Sequence, residues 1–242
     1  MKPYFENNGI AIYFGDSREV LTQIDLPNRN ELVLVTDPPY GMVNRFGDPR
    51  NRPDGNRTME FEWDKGHETT DEISGVIDIV APLVSSFHIF CGPEQFGLFA
   101  GVLRSHKLTP KPWAWVKKCP PPPLPGNWWP SAFELGMYGY RSGAYFGDTN
   151  KSRTNIYIGD TYRHGHRSKE KVDHPTQKWL PMIHYLVTSL VPENGTAIDT
   201  FAGSGTTLVA CRMAGRKAIG IEREEKYCEI IASRLNENDL FN

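Results

Sequence analysis

Apolar positions along the chain recur in two rhythms. Short runs rich in β-branched residues, Ile10-Ala11-Ile12-Tyr13-Phe14 and Leu32-Val33-Leu34-Val35 among them, read as buried strands. Residues 86–91, 113–116, 133–140, 155–158, 196–199 and 217–221 have the same composition. Between them, residues 18–24, 71–84, 93–105, 179–190, 208–214 and 224–235 carry helical spacing. Strands that alternate with helices predict an α/β fold, a mostly parallel sheet covered on both faces. The alternation breaks twice. Residues 41–66 are irregular and rich in Arg, Asn, Gly and Pro, and residues 119–172 combine a proline run with a basic tract. The prolines at 120–123 form an extended segment, a stiff spacer or a ligand for a peptide-binding domain.

Composition narrows the picture only a little. The 242 residues carry a net charge of -2, so any nucleic acid must be met by local patches. Two patches are available: Arg45, Arg50, Arg52 and Arg57 in the first irregular stretch, and Arg153, Arg163, Arg167 and Lys169 in the second. They touch phosphates or are simply solvated. His164 and His166 lack a clear partner set for zinc, and no metal is expected. Cys91, Cys119, Cys211 and Cys228 are widely spaced, without C-x-x-C, which points to inert thiols in a reduced, cytoplasmic protein. The N-terminus has no secretory pattern and no stretch has the apolar length of a membrane span.

The chemistry concentrates where strands end. The second strand runs into Thr36-Asp37-Pro38-Pro39-Tyr40-Gly41. Two prolines make a stiff turn without N–H donors. Asp37 and the Pro38 carbonyl are then neighbouring acceptors, with the Tyr40 ring beside them, which suits the exocyclic amino group of a planar heterocycle; the alternative is a structural turn that closes the strand. The strand at 196–199 ends in Asp199 and continues as Thr200-Phe201-Ala202-Gly203-Ser204-Gly205-Thr206-Thr207, and the next strand ends in Glu222. Strand, glycine-rich turn, helix, strand and acidic residue describe a nucleoside crevice in a doubly wound sheet. Leu208 stands where a dinucleotide fingerprint has its third glycine. That disfavours a pyrophosphate cofactor and suits S-adenosylmethionine, a nucleoside with a short zwitterionic tail. Gly15, Asp16 and Ser17 follow the first strand, where an acid caps a helix or faces a ligand.

Together with His174-Pro175-Thr176-Gln177-Lys178 and Gly220-Ile221-Glu222, these motifs resemble the amino-methyltransferases of DNA in their β arrangement, where the target-base half precedes the cofactor half. The resemblance implies a Rossmann-like sheet of seven strands, S-adenosylmethionine as cofactor and double-stranded DNA as partner. It implies one domain over residues 1–242: a target-base half (about 1–118), a target-recognition insert (about 119–172) and a cofactor half (about 173–242), with a further DNA-contact loop at about 41–66. Asp37, Pro38, Pro39 and Tyr40 would form the catalytic turn. Gly15-Asp16 would meet the cofactor's adenine, Glu222 its ribose, residues 199–205 would wrap it, and Thr176, Gln177 and Lys178 would hold its methionine end. Thr200 and Trp179 stand where the family usually has proline, which touches loop shape and no ligand. Asp at the first catalytic position accompanies adenine more often than cytosine, where Ser is usual. A sequence-specific adenine-N6 methyltransferase is therefore expected, with a cytosine-N4 enzyme and a catalytically silent DNA-binding subunit as the competing readings. A homodimer and a cognate restriction endonuclease stay open.

Overall fold

The computed structural model describes residues 1–40, 70–118, 132–147, 154–161, 172–174 and 176–236. The elements in chain order are β1 (Phe5–Asn7), β2 (Ile10–Phe14), α1 (Ser17–Val20), β3 (Leu32–Thr36), α2 (Thr70–Val80), β4 (Ser86–Phe90), α3 (Pro93–Ser105), β5 (Lys111–Lys117), β6 (Phe133–Tyr140), β7 (Ile156–Gly159), α4 (Leu180–Leu190), β8 (Thr196–Asp199), α5 (Thr206–Met213), β9 (Lys217–Glu222) and α6 (Glu225–Asn236). The strands form a single sheet in the order β1-β2-β9-β8-β3-β4-β6-β5-β7. From β2 to β4 every neighbouring pair is parallel, whereas β6 runs antiparallel to both β4 and β5.

The central strands are apolar throughout because both of their faces are covered. On β3, Val33 and Val35 pack with Leu186 of α4, Leu208 of α5 and Ile231 of α6. The alternate residues Leu32 and Leu34 pack with Val20, with Ile73 and Ile77 of α2, and with Phe99 and Leu103 of α3. Two layers of helices thus enclose the sheet, and β3 lies at its centre with every residue buried.

The described residues form nine strands where the family resemblance implied seven. The run from β2 to β5 makes seven, and one short strand extends each edge. The added β1 pairs with β2 through a hairpin whose turn is Asn8-Gly9, at φ 51° and 77°. Asn-Gly suits that turn because both positions need a left-handed backbone. The helix expected over residues 18–24 is shorter, and spans only Ser17–Val20. No helix among the described residues is long and apolar enough to cross a membrane.

Candidate functional site

In a doubly wound sheet the ligand crevice opens at the carboxyl ends of the strands, where the chain departs to opposite sides. From β8 the chain turns through α5 to β9, and from β3 through α2 to β4 on the other side. A cavity of about 440 Å³ opens where the two directions part, within the range of small-molecule sites. It is lined by Gly15, Asp16 and Ser17 after β2, by residues 36–40 from the end of β3 onward, by residues 199–204 from the end of β8 onward and by Glu222 at the end of β9. Thr176, Gln177 and Lys178, ahead of α4, close its outer side.

The cofactor-side turns hold one another. Ser17 Oγ donates to the Thr200 carbonyl at 2.5 Å, and the Gly15 amide to the Glu222 carbonyl at 3.0 Å. Asp16 caps α1 through the Arg18 amide at 2.8 Å and also takes the Arg18 guanidinium at 2.6 Å. Those Arg18 hydrogen bonds hold its carboxyl below the usual range. Asp199 is buried and accepts from Thr36 Oγ1 at 2.8 Å and from the Phe201 amide at 3.1 Å. Burial pushes its carboxyl up to about 6. Gly203 and Gly205 adopt φ 51° and 75°. Thr206 and Thr207, buried at the start of α5, lie on the cavity wall, while Gly205 lies behind it: a Cβ there would come within 2.7 Å of Ile231. Arg234 of α6 reaches in from below to donate to the Ser204 carbonyl at 2.5 Å. Glu222 accepts from the Gly203 amide at 2.7 Å and the Glu224 amide at 2.9 Å, and burial raises its carboxyl to about 7.

The turn after β3 is anchored differently. Gln95 at the start of α3 donates to the Pro39 carbonyl at 2.8 Å and accepts from the Gly92 amide at 2.9 Å. This pins the two prolines against β4. Asp37 Oδ1 takes the Tyr40 hydroxyl at 2.8 Å, and its Oδ2 pairs with Lys178 Nζ at 2.9 Å. Lys178 also meets Glu134 of β6 at 2.8 Å. The resemblance assigned Lys178 to the cofactor's methionine end; in the structure its ammonium is committed to Asp37, Glu134 and Tyr40, because two partly buried carboxylates attract it. Apolar Val35, Phe90, Trp115 and Ile183 line the cavity beside this turn.

Two of the lining residues to which the sequence reading gave no role bear on the geometry. His174 accepts from the Thr176 amide at 3.3 Å, and its ring centre lies 4.6 Å from that of Tyr227. Burial, with Lys178 nearby, lowers its imidazole to about 4, so it is neutral. Glu134 is the second. Every expected catalytic and cofactor residue therefore falls on this one cavity, except Gly205 behind it. The expected DNA contacts Arg45, Arg50, Arg52, Arg57, Arg153, Arg163, Arg167 and Lys169 lie outside the described residues, as do His164, His166 and Cys119. Cys91, Cys211 and Cys228 are buried free thiols. Among the described residues no cluster of His, Cys, Asp or Glu could hold a metal ion.

Comparison with known proteins agrees with this geometry. A family model described as DNA methylase matches residues 33–233. The chain is 26% identical to the type II methyltransferase M2.LlaDCHI of Lactococcus lactis subsp. cremoris, over 99% of this chain and 94% of that protein. Its fold is similar to the crystal structure of an M1.HpyAVI-SAM complex, with a TM-score of 0.71 at 25% identity, over 93% of this chain and 98% of the other. It also matches the fold of the PvuII DNA methyltransferase, described as cytosine-N4-specific, with a TM-score of 0.73 at 16% identity, over 100% of this chain and 94% of that one.

Proposed function

The chain belongs to the family of N6/N4 DNA methylases, and from that premise we propose that it transfers a methyl group from S-adenosylmethionine to N6 of an adenine turned out of a DNA duplex. The observation that carries this reading is the position of Asp37 and buried Pro38 at the tip of the central strand, on the wall of the cavity. An aromatic amino nitrogen is a poor nucleophile because its lone pair is conjugated into the ring. Hydrogen bonds from its two N–H groups to Asp37 and the Pro38 carbonyl localise that lone pair on nitrogen. Fixed acceptors of this kind need no reorganisation as charge develops. Asp37 is also the nearest base for the proton that the methylated nitrogen sheds. An aspartate here, where cytosine enzymes usually have serine, supports adenine as the target.

The residues present fit the cofactor. Glu222 offers a carboxylate to ribose hydroxyls, and Asp16 lies at the same end for the adenine amino group. The left-handed Gly203 lets the main chain approach closely. Thr176 and Gln177 flank the other end. The cofactor supplies a methyl group on a sulfonium, an electrophile with a good leaving group. What the protein adds is placement, which can contribute roughly 7–11 kcal/mol. Extruding the base costs a few kcal/mol, and stacking on Tyr40 returns about 1–3 kcal/mol.

Residues 119–172 are proposed as the target-recognition insert and residues 41–66 as a further DNA-contact loop. The arginines and Lys169 of these stretches are then the phosphate contacts. The reading is tested by single-turnover transfer of labelled methyl to DNA, followed by nucleoside analysis. N6-methyladenine is the expected product. N4-methylcytosine would move the enzyme to the cytosine class, and no transfer by a folded, cofactor-loaded protein would make it a silent binding subunit.

A further inference from the structure

The wall of the cavity beyond Asp37 carries a row of charges that methyl transfer, as described above, does not use. Lys178 Nζ donates to Asp37 Oδ2 at 2.9 Å, to Glu134 Oε2 at 2.8 Å and to the Tyr40 hydroxyl at 3.1 Å, so each of its three protons has a partner. The other oxygen of Glu134, Oε1, pairs with Lys117 Nζ of β5 at 2.8 Å. Asp37, Lys178, Glu134 and Lys117 therefore alternate in sign from the tip of β3 to the end of β5. Phe90 and Tyr40 press their rings within 4.9 and 5.1 Å of the Lys178 ammonium, which keeps it largely dry. A partly buried network of this kind is stable only when every member is satisfied.

We infer that Glu134 is a positioning residue for methyl transfer: it anchors Lys178, and Lys178 fixes one oxygen of the Asp37 carboxylate so that the other can receive the target amino group. The receiving oxygen is Oδ1, held among the described residues only by the Tyr40 hydroxyl, which the incoming N–H replaces. Glu134 is not itself a reader of the base, because each of its oxygens already faces an ammonium. The inference rests on the reading of Asp37 as the acceptor. Electrostatics agree with it. Burial raises the Glu134 carboxyl, but Lys178 and Lys117 outweigh burial and hold it at about 2. Burial pushes Asp37 up, Lys178 opposes that, and the negative charge of Glu134 adds to it. The other titratable groups that face the row are His88 of β4, Cys91 after β4, His174 before α4 and Asp199 of β8.

The test is Glu134→Gln, which keeps the shape and removes the charge. Single-turnover methyl transfer is expected to fall at least about tenfold, with cofactor affinity by calorimetry within about twofold of wild type. The acid limb of the rate profile is expected to move to lower pH, because the charge that raises Asp37 is gone. Glu134→Asp keeps the charge but withdraws it by one methylene. It should recover part of the rate and leave the acid limb at its wild-type position. A folded Glu134→Gln with wild-type rate and profile overturns the inference. So does a rate loss with an unmoved acid limb in Glu134→Gln, which marks a merely structural residue. Should Glu134→Gln fail to fold, wild-type turnover by Glu134→Asp decides against the inference and a slowed rate supports it. Asp37→Ala run alongside separates the two levels. If it is inactive while Glu134→Gln is normal, only Glu134's role falls; if it is active, the acceptor reading falls with it.

Discussion

Two carboxylates stand at the carboxyl ends of strands that flank β8, Asp37 after β3 and Glu222 at the end of β9, and the fold satisfies them in opposite ways. Asp37 is held by side chains, a lysine on one oxygen and a tyrosine hydroxyl on the other. Glu222 is held by main-chain amides, those of Gly203 and Glu224, and among the described residues no lysine or arginine pairs with it. Burial raises both. The first acid has Lys178, whose positive charge opposes the upward push of burial. The second has only dipoles, and its carboxyl settles near 7. Similar positions on one sheet thus give one acid held by a side-chain cation and hydroxyl and another held by main-chain dipoles.

The sharpest way to break that contrast is Asp37→Ala. It should lower single-turnover methyl transfer by roughly 10²–10³-fold or more, while cofactor affinity stays near wild type. Asp37→Asn keeps the shape and one acceptor oxygen, loses the charge, and should remain severely slowed. Near-normal turnover by Asp37→Ala would reduce the turn to a structural stop. Next in size is Tyr40. Its ring is expected to stack on the extruded base, so Tyr40→Ala should cost about 1–3 kcal/mol of transition-state stabilisation. Tyr40→Phe keeps the ring and loses the hydroxyl's bonds to Asp37 and Lys178, for a loss of several-fold. Equal losses in the two variants would show that the hydroxyl matters and the ring does not.

On the other side of the contrast, Glu222→Ala should weaken cofactor binding by about 1–3 kcal/mol and leave the rate at saturating cofactor unchanged. Unaltered affinity by calorimetry in a folded variant would remove Glu222 from the ribose site. The smallest expected effect is on pH. On the proposed ribose contact, hydroxyls donate to the ionised carboxylate, so the cofactor is expected to bind the form that exists above the raised pKa. As pH falls below about 7 the free protein takes up a proton that binding must expel. Affinity should then drop by up to about tenfold per pH unit, and Glu222→Gln should flatten the dependence. A wild-type affinity constant from pH 8 to 6 would contradict this.

Most of the sheet was legible because its central strands are continuous apolar runs separated by helical spacing. The α3 boundaries, Pro93–Ser105, agree with the proline start and the polar end of that pattern. The hairpin strand β1 was missed, since Phe5-Glu6-Asn7 has no apolar rhythm; the Asn8-Gly9 pair was the available signal. The strand-end acids and the glycine turn declared themselves by local chemistry. Glu134 did not. Its partners are Lys117, next to it only through strand pairing, and Lys178, forty-four residues away. What could have marked it is alternation on β6: Glu134 shares a face with Gly136 and Tyr138, a side on which Tyr138 packs into the core. Arg234 was hidden in the same way, a buried charge on a helix read as amphipathic.

The bond between Thr36 and Asp199 joins residues 163 positions apart. It has a consequence for the time at which the protein becomes competent during synthesis. At the usual rate of about 5–20 residues per second, roughly ten to thirty seconds separate the emergence of β3 from that of β8. Until then the most apolar strand of the sheet has its later neighbour only in prospect, and no crevice exists to hold a methyl donor. A nascent chain cannot begin to modify DNA until its cofactor half has left the ribosome. A truncated product that stops before β8 is expected to be inert, with an open edge that invites association with other unfinished chains.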